Sequence, residues 1–408
     1  MSGLKVALIS HEFPPFTLGG IGTHCHSLAY SLSAKGIETK VICGTTTGSG
    51  GKTKVNNFLE IVRLPCPSFP PKYFWFQLLN AKVMTSLVSD CDVIHGVNPT
   101  ASFGIALTHE FSDRALVTTH HSNSLQMLKM FTQMPPSEFT LGDFSENFLS
   151  YPLDDFLERL WFKRADRIVV PGTSTFEFMT RTYPRSITEK VSIVYNGINF
   201  ERIDELTRDH PNVGSEMSVV CFCRLISLKG VAQFLRGSKS LFSEFPAVHL
   251  KIFGSGPLYP KLKRIIQKNG LTKNVTLMGY VPNTELIRQV NLATVVVLPT
   301  FLEVGPFISA LEAMACRKAP VLFNFSFNRE FVTHMETGVM AKPGDIIDLV
   351  SKIKLLLSND DLRMKLGENA YQYVRENHNW TTLASKYVEI YKEALSGKGG
   401  SHESRQRL

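Results

Sequence analysis

Tryptophan is scarce in this chain, three among 408 residues, and the seven cysteines are scattered and odd in number. Such thiols build no disulfide framework and suit a reducing compartment, so a cytoplasmic protein is expected. No apolar run approaches the roughly 20 residues that a membrane-spanning helix needs. Residues 1–4 lead into one short apolar strand rather than the apolar stretch and cleavage site of a secretory leader. Twelve histidines are present, but none stands in a His-Glu-x-x-His or comparable spacing, so no metal centre is expected. A dense Lys/Arg stripe with interleaved aromatics is also missing, which argues against a nucleic-acid partner. Neither an internal repeat nor a low-complexity tract is evident.

What is present describes a globular α/β protein. The length of 408 residues allows two domains of ordinary size, and 43% of the residues are hydrophobic. The formal net charge of +8 points to an anionic partner, such as a nucleotide diphosphate, a phospholipid head group or a lipid phosphate. Short apolar runs alternate with helical periodicity in both halves, the rhythm of doubly wound parallel sheets.

In the first half, Lys5 to Ser10 reads as a buried parallel strand. It leads through Pro14-Pro15 into Gly19-Gly20-Ile21-Gly22, a helix ending at Gly36, and a second strand from Ile37 to Cys43. A nicotinamide fingerprint is rejected. Cys25 stands where the third glycine belongs, and the loop starts about ten residues past the strand. Strands Asp92–His95 and Leu116–Thr119 follow, the latter leading to His120, where open α/β sheets place functional groups. Asp90-Cys91-Asp92 is formally an Asp-x-Asp, but it precedes its strand and reads as a solvated strand entry. Lys72 to Phe76 and the Met-rich Leu125 to Met134 have two readings: a grip on a lipid-linked acceptor or membrane surface, or helices packed on the sheet. Ala165 to Pro171 is a further strand, with Ser174 as candidate cap of the next helix, and Val191 to Tyr195 is the last strand of this half. The polar stretch Glu201 to Glu216 reads as the domain boundary.

The second half opens with the strand Met217 to Cys223, followed by Arg224, Lys229 and Gly230, where a helix begins. Two cations beside a helix start suit a diphosphate leaving group. Leu250 to Phe253 then runs into Gly254-Ser255-Gly256-Pro257. The most informative stretch is Val297 to Pro320: a buried strand ended by Pro299, a loop with Glu303, then Gly305 and Pro306 at a helix start. Phe307, Ala310, Leu311 and Met314 recur at helical spacing, which puts Ile308 and Glu312 inside that helix.

Glu303 and Glu312 with Ala313-Met314-Ala315 resemble the donor-site signature of glycosyltransferase family 4, whose members are retaining enzymes of the GT-B fold. The Pro-Pro-x-x-x-Gly-Gly loop, His120, Arg224-Leu225-x-x-x-Lys229-Gly230 and the Gly254 turn resemble further family motifs in the same order. The sequence departs from the family at several points. Eight residues rather than seven separate Glu303 from Glu312, and the extra one is expected to bulge at Gly305. Cys223 replaces a glycine, Thr294 an aspartate, Asn199 another aspartate, and Phe325 to Glu330 lacks a Gly-Gly pair.

The resemblance implies a GT-B α/β fold of two Rossmann-like, doubly wound domains facing across a cleft. Residues 1–205 would form the acceptor-side domain and 214–378 the nucleotide-sugar domain. A helix at about 380–395 would cross back, and 397–408 would be a flexible tail. It further implies transfer of a hexose-type sugar, with retention and without a metal, in glycan or cell-envelope biosynthesis. The co-substrate would be a UDP- or GDP-sugar and the acceptor a lipid-linked glycan, phospholipid or saccharide. No other cofactor is implied, and peripheral contact with the cytoplasmic face of a membrane is compatible. Glu303 and His120 would be the catalytic pair. Gly19, Gly20, Arg224, Lys229, Gly254, Gly305, Phe307, Ile308 and Glu312 would bind the donor. A degenerate GT-B-fold protein that binds a nucleotide or partner without catalysis is the alternative.

Overall fold

The computed structural model describes residues 3–16, 20–46, 50–67, 72–107, 111, 113–121, 125, 151–208, 216–301 and 308–405. The chain divides into two compact units. The first holds the described residues within 1–129 and 146–197 and those from Trp380 onwards; the second holds Ile198–Asn379.

The first unit is built on an eight-stranded sheet. Its strands are β1 (Lys5–Ser10), β2 (Glu38–Thr45), β3 (Gly51–Asn56), β4 (Leu59–Pro65), β5 (Val93–Gly96), β6 (Ala115–Thr119), β7 (Arg167–Val170) and β8 (Val191–Ile193). Their spatial order is β3-β4-β2-β1-β5-β6-β7-β8. All neighbours run parallel except β3, which pairs antiparallel with β4. That edge strand is exposed along its length and carries Lys52 and Lys54, charges that discourage edge-to-edge pairing. Elsewhere both faces of the sheet are covered. Along β1, Val6 and Leu8 enter one core, with the helices Gly20–Ala34 and Trp380–Arg405, while Ala7 and Ile9 enter the other, with Phe76 and Met84 of the helix Lys72–Val88. A fully buried Leu or Ile here contributes roughly 1.5–3 kcal/mol.

The second unit has a six-stranded, all-parallel sheet: β9 (Ser218–Phe222), β10 (His249–Phe253), β11 (Val275–Gly279), β12 (Val295–Leu298), β13 (Pro320–Phe323) and β14 (Val339–Ala341). The order β11-β10-β9-β12-β13-β14 is that of a doubly wound nucleotide-binding sheet. Again alternate residues feed opposite cores, Val219 and Cys221 one, Val220 and Phe222 the other.

One device recurs in both sheets. A polar side chain just before a strand accepts a backbone N–H from the start of a neighbouring strand: Lys5 N donates to Asp92 Oδ2 at 2.8 Å and Leu116 N to Asp166 Oδ2 at 2.8 Å. Ser218 N donates to Thr294 Oγ1 at 3.0 Å. Thr294 therefore fills an aspartate's acceptor role, and Asp92 is a structural pin.

Several local expectations are revised. The polar stretch read as the domain boundary opens as a helix, Phe200–Thr207, that already belongs to the second unit. Asn199 Oδ1 accepts from Arg202 N at 3.0 Å, and Phe200 and Ile203 are buried in the second unit's core. Ser174 is no cap: the helix Thr173–Thr182 starts after Gly172, without a side-chain cap. The last helix runs to Arg405, past the Leu395 end read from the sequence and into the segment taken as a tail. Its buried Tyr387, Tyr391 and Ala394 fix its axis, and Lys398 Nζ ties it to Asp166 at 3.0 Å. Of the Leu125 to Met134 stretch, only Leu125 lies among the described residues.

Candidate active site

In an open parallel sheet, ligands bind beyond the carboxyl ends of the strands, where the strand order reverses. In the second unit that point lies between β9 and β12. The chain leaves β9 through Cys223 and exposed Arg224, makes one tight turn over Ser227–Lys229, and passes Gly230 in a left-handed conformation (φ 68°). A Cβ on Gly230 would lie 1.9 Å from the Pro299 carbonyl, just past β12. Gly254, after β10, has φ 129°, and a Cβ there would lie 1.9 Å from the Cys223 carbonyl. Only glycine tolerates either position. The β9 loop is further clamped by Cys223 N to Phe253 O at 3.2 Å and Leu225 N to Ser255 O at 2.9 Å.

Electrostatics at this loop are unusual. Burial pushes the Lys229 ammonium down to about 8, and Arg224 adds to the push. The Cys221 thiol donates to the Cys223 sulfur, which holds the Cys223 thiol below its ordinary value, with Lys229 and Arg224 acting the same way. Cys223, where the family has glycine, thus places a thiol beside two cations.

Glu312 lies in the helix Ile308–Ala315 and is half-buried. Asn283 Nδ2, at the start of the helix Asn283–Leu292, donates to its Oε1 at 3.0 Å. Burial raises the carboxyl to about 7, against the opposing influence of Asn283 and Arg202. Ile308, the first described residue of that helix, packs on the apolar core. Past β13, the segment lacking the Gly-Gly pair forms a short turn over Asn328–Glu330. Asn328 Nδ2 donates to Phe323 O at 2.7 Å, while its buried Oδ1 has no hydrogen-bond partner. Glu303, Gly305, Phe307 and Gly19 lie outside the described residues.

In the first unit, Gly20 is the exposed first residue of its helix. His120 follows β6, its backbone N donating to Val169 O at 2.7 Å and its ring edge-on to Phe162 at 5.0 Å. Burial drives it down to about 3, and neither ring nitrogen has a hydrogen-bond partner. Such an imidazole is neutral at physiological pH and can serve a ligand hydroxyl as donor or acceptor. Behind it runs a buried polar chain. His95 Nδ1 meets Tyr391 OH at 2.7 Å and His95 Nε2 meets Thr119 Oγ1 at 2.8 Å. Tyr387 OH meets His24 Nε2 at 3.2 Å, and His24 Nδ1 meets Asn196 Oδ1 at 3.0 Å.

The structure therefore brings Arg224, Lys229 and Gly254 together around one loop. Asn283, Arg202 and Asn328 were not legible as site residues; an isolated Asn or Arg in sequence carries no signal of the carboxylate it will meet.

Two family models match consecutive stretches of the chain: Glycosyltransferase Family 4 over residues 18–202 and Glycosyl transferases group 1 over residues 203–373. A glycogen synthase of Mycobacterium tuberculosis is 24% identical over 426 residues, covering 99% of this chain and 98% of that protein. Among solved structures, a sucrose-phosphate synthase of Thermosynechococcus elongatus has a TM-score of 0.78 at 18% identity, covering 97% of this chain and 100% of the other. Anabaena HepE, solved with UDP and glucose, has a TM-score of 0.69 at 16% identity, covering 96% and 100%. The fold is thus that of the GT-B glycosyltransferases. The two matches together support a glycosyltransferase of the family 4 type, a transferase of glycosyl groups.

Proposed function

We propose that the protein moves a hexose-type sugar, with retention and without a metal, from a UDP- or GDP-sugar to a lipid-linked glycan, phospholipid or saccharide acceptor. The observation that carries this reading is the Arg224–Lys229 pair on the glycine-clamped loop beside the β9/β12 strand reversal. Preorganised cations at such a point stabilise the charge that grows on a departing diphosphate. Glu312, oriented by Asn283, takes the ribose hydroxyls. His120 serves a sugar hydroxyl, and Glu303 works near the reacting carbon. In a retaining transfer the departing phosphate helps take the acceptor's proton, so no separate general base is assigned. Crystallisation of HepE with UDP and glucose supports a uridine donor. A basic protein of this kind would work in the cytoplasm, against the membrane surface where the acceptor is lipid-borne.

Calorimetric titration with a panel of UDP- and GDP-sugars, followed by an assay for slow donor hydrolysis, tests the reading. Binding with release of free sugar is expected. Binding without turnover, even with acceptors added, would leave only the nucleotide site, and no binding at all would remove the donor assignment.

A further inference from the structure

The net charge of +8 is not spread evenly over the chain. Between Glu244 and Glu285 lie 40 residues without a single Asp or Glu, and they carry six Lys and Arg side chains. Six of the eight surplus positive charges thus sit in about a tenth of the length, and neither Arg224 nor Lys229 is among them.

Folding gathers this charge on one surface of the second unit. The stretch forms β10, the helix Tyr259–Lys268 and β11, the outermost strand of the six-stranded sheet. Leu262, Ile265 and Ile266 turn one side of the helix into the core. The other side is thereby fixed outward, and Lys263, Arg264 and Lys268 are exposed on it. Gly270, in a left-handed conformation (φ 67°), then turns the chain back, and exposed Lys273 precedes β11. Lys251 is paired with Glu216 at 2.8 Å. Among the described residues, no carboxylate pairs with Lys263, Arg264, Lys268 or Lys273. Arg264 and Lys268 stand four positions apart, a like-charged pair that weakens the helix until an anion lies across both. Tyr259 opens the helix, and its hydroxyl donates to Leu277 O at 3.5 Å, which joins the helix to β11. Past that junction Met278 and Tyr280 are 40% and 72% exposed.

We propose that this surface docks on an anionic phospholipid bilayer, with Lys263, Arg264, Lys268 and Lys273 against the phosphates and Tyr259, Met278 and Tyr280 at the head-group level. Each cation near such a membrane gains from the negative lipid charge, and tyrosine places an apolar ring and a polar tip at the boundary. An acidic protein would match the cations but leave Met278 without a role. The choice of lipid over other polyanions rests on the lipid-borne acceptor in the reading above; the concentration of charge does not.

The test is sedimentation of the full chain with vesicles of phosphatidylcholine, alone or mixed with phosphatidylglycerol. Binding is expected only with phosphatidylglycerol and should weaken as salt is added. Lys263→Glu combined with Lys268→Glu should weaken it roughly a hundredfold or more, and the milder Lys263→Gln with Lys268→Gln about tenfold or more. Lys52→Glu combined with Lys54→Glu, on exposed β3 of the first unit, changes the net charge as much as the first pair. It should weaken binding less than about threefold, because lipid attraction fades within a Debye length. Equal losses in the two Glu pairs, in chains with unchanged thermal unfolding, would reduce the binding to net charge and overturn the proposal. Absence of binding to every vesicle overturns it as well. Binding of polyglutamate or duplex DNA in place of vesicles would assign an acidic macromolecule and overturn the lipid partner. Calorimetry with UDP, expected to give the same affinity in all these variants, separates this surface from the donor site. A sample that binds UDP but no vesicle keeps the transferase reading and loses this one. Vesicle binding that needs Lys263 and Lys268, without UDP binding, keeps the docking surface and loses the donor site.

Discussion

Two titrating side chains at the second unit's strand reversal set the pH range in which the proposed donor site works. Lys229, pushed down to about 8, loses its charge as pH rises through that value. Glu312, raised to about 7, loses its carboxylate charge as pH falls through that value. Nucleotide affinity should therefore peak between these values and decline on both sides. Glu312→Gln should flatten the acid limb, and Lys229→Ala the alkaline limb, while each of Lys229→Ala and Arg224→Ala weakens binding by roughly 1–3 kcal/mol. Calorimetry at a series of pH values reads all of these. Full affinity in both single variants would remove the diphosphate assignment. The Arg and Lys were legible from their spacing and their resemblance to the family. The meeting of Cys221 with Cys223, and the effect of Cys223 on Lys229, needed the folded loop.

At the scale of single elements, the loops that carry the site depend on backbone that only glycine adopts. Gly254 and Gly270 both have positive φ, but a Cβ at 254 would meet the Cys223 carbonyl whereas one at 270 has nothing within 4 Å. Gly270→Ala should cost about 1–2 kcal/mol, the price of the left-handed conformation alone. Gly254→Ala should cost more and should also weaken nucleotide binding, because it displaces the loop bearing Arg224. Chemical denaturation of the two variants side by side checks this; equal losses would mean that the close approach at Gly254 contributes nothing. The sequence showed Gly254 as part of a turn, but the contact that makes glycine obligatory comes from Cys223, just past β9 and more than thirty positions earlier in the chain.

At the scale of the molecule, the C-terminal helix completes the first unit through buried polar groups. Trp380, Leu383, Tyr387 and Tyr391 join the same core as β1 and the helix Gly20–Ala34. A chain ended at residue 379 should lose the cooperative unfolding of the first unit, seen by calorimetry. Tyr391→Phe, which leaves His95 Nδ1 without its 2.7 Å partner, should cost about 1–3 kcal/mol. Burial holds His95 and His120 down to about 3, His121 to about 4, and His24 well below its ordinary value. Unfolding returns each of them to about 6.5, so below that pH the unfolded chain binds more protons. Stability should be intact above about pH 6.5 and fall steadily as pH drops toward 4. A melting temperature unchanged between pH 7 and pH 5 would contradict this.

By itself the sequence determined the alternation of strands and helices, the parallel character of the buried runs, and the family, because periodicity and local motifs are written in neighbouring residues. It placed Arg224, Lys229, His120 and Glu312 at strand ends or on a helix for the same reason. Only the tertiary structure decided that Asn283 orients Glu312, that Thr294 replaces an aspartate as acceptor for Ser218, and that His24, His95 and the C-terminal tyrosines form one buried chain. It also decided that Gly44, His11, Glu12 and Lys72 line one pocket. These pairings join residues far apart in the chain, and their partners are chosen by sheet order and packing, which no local spacing records.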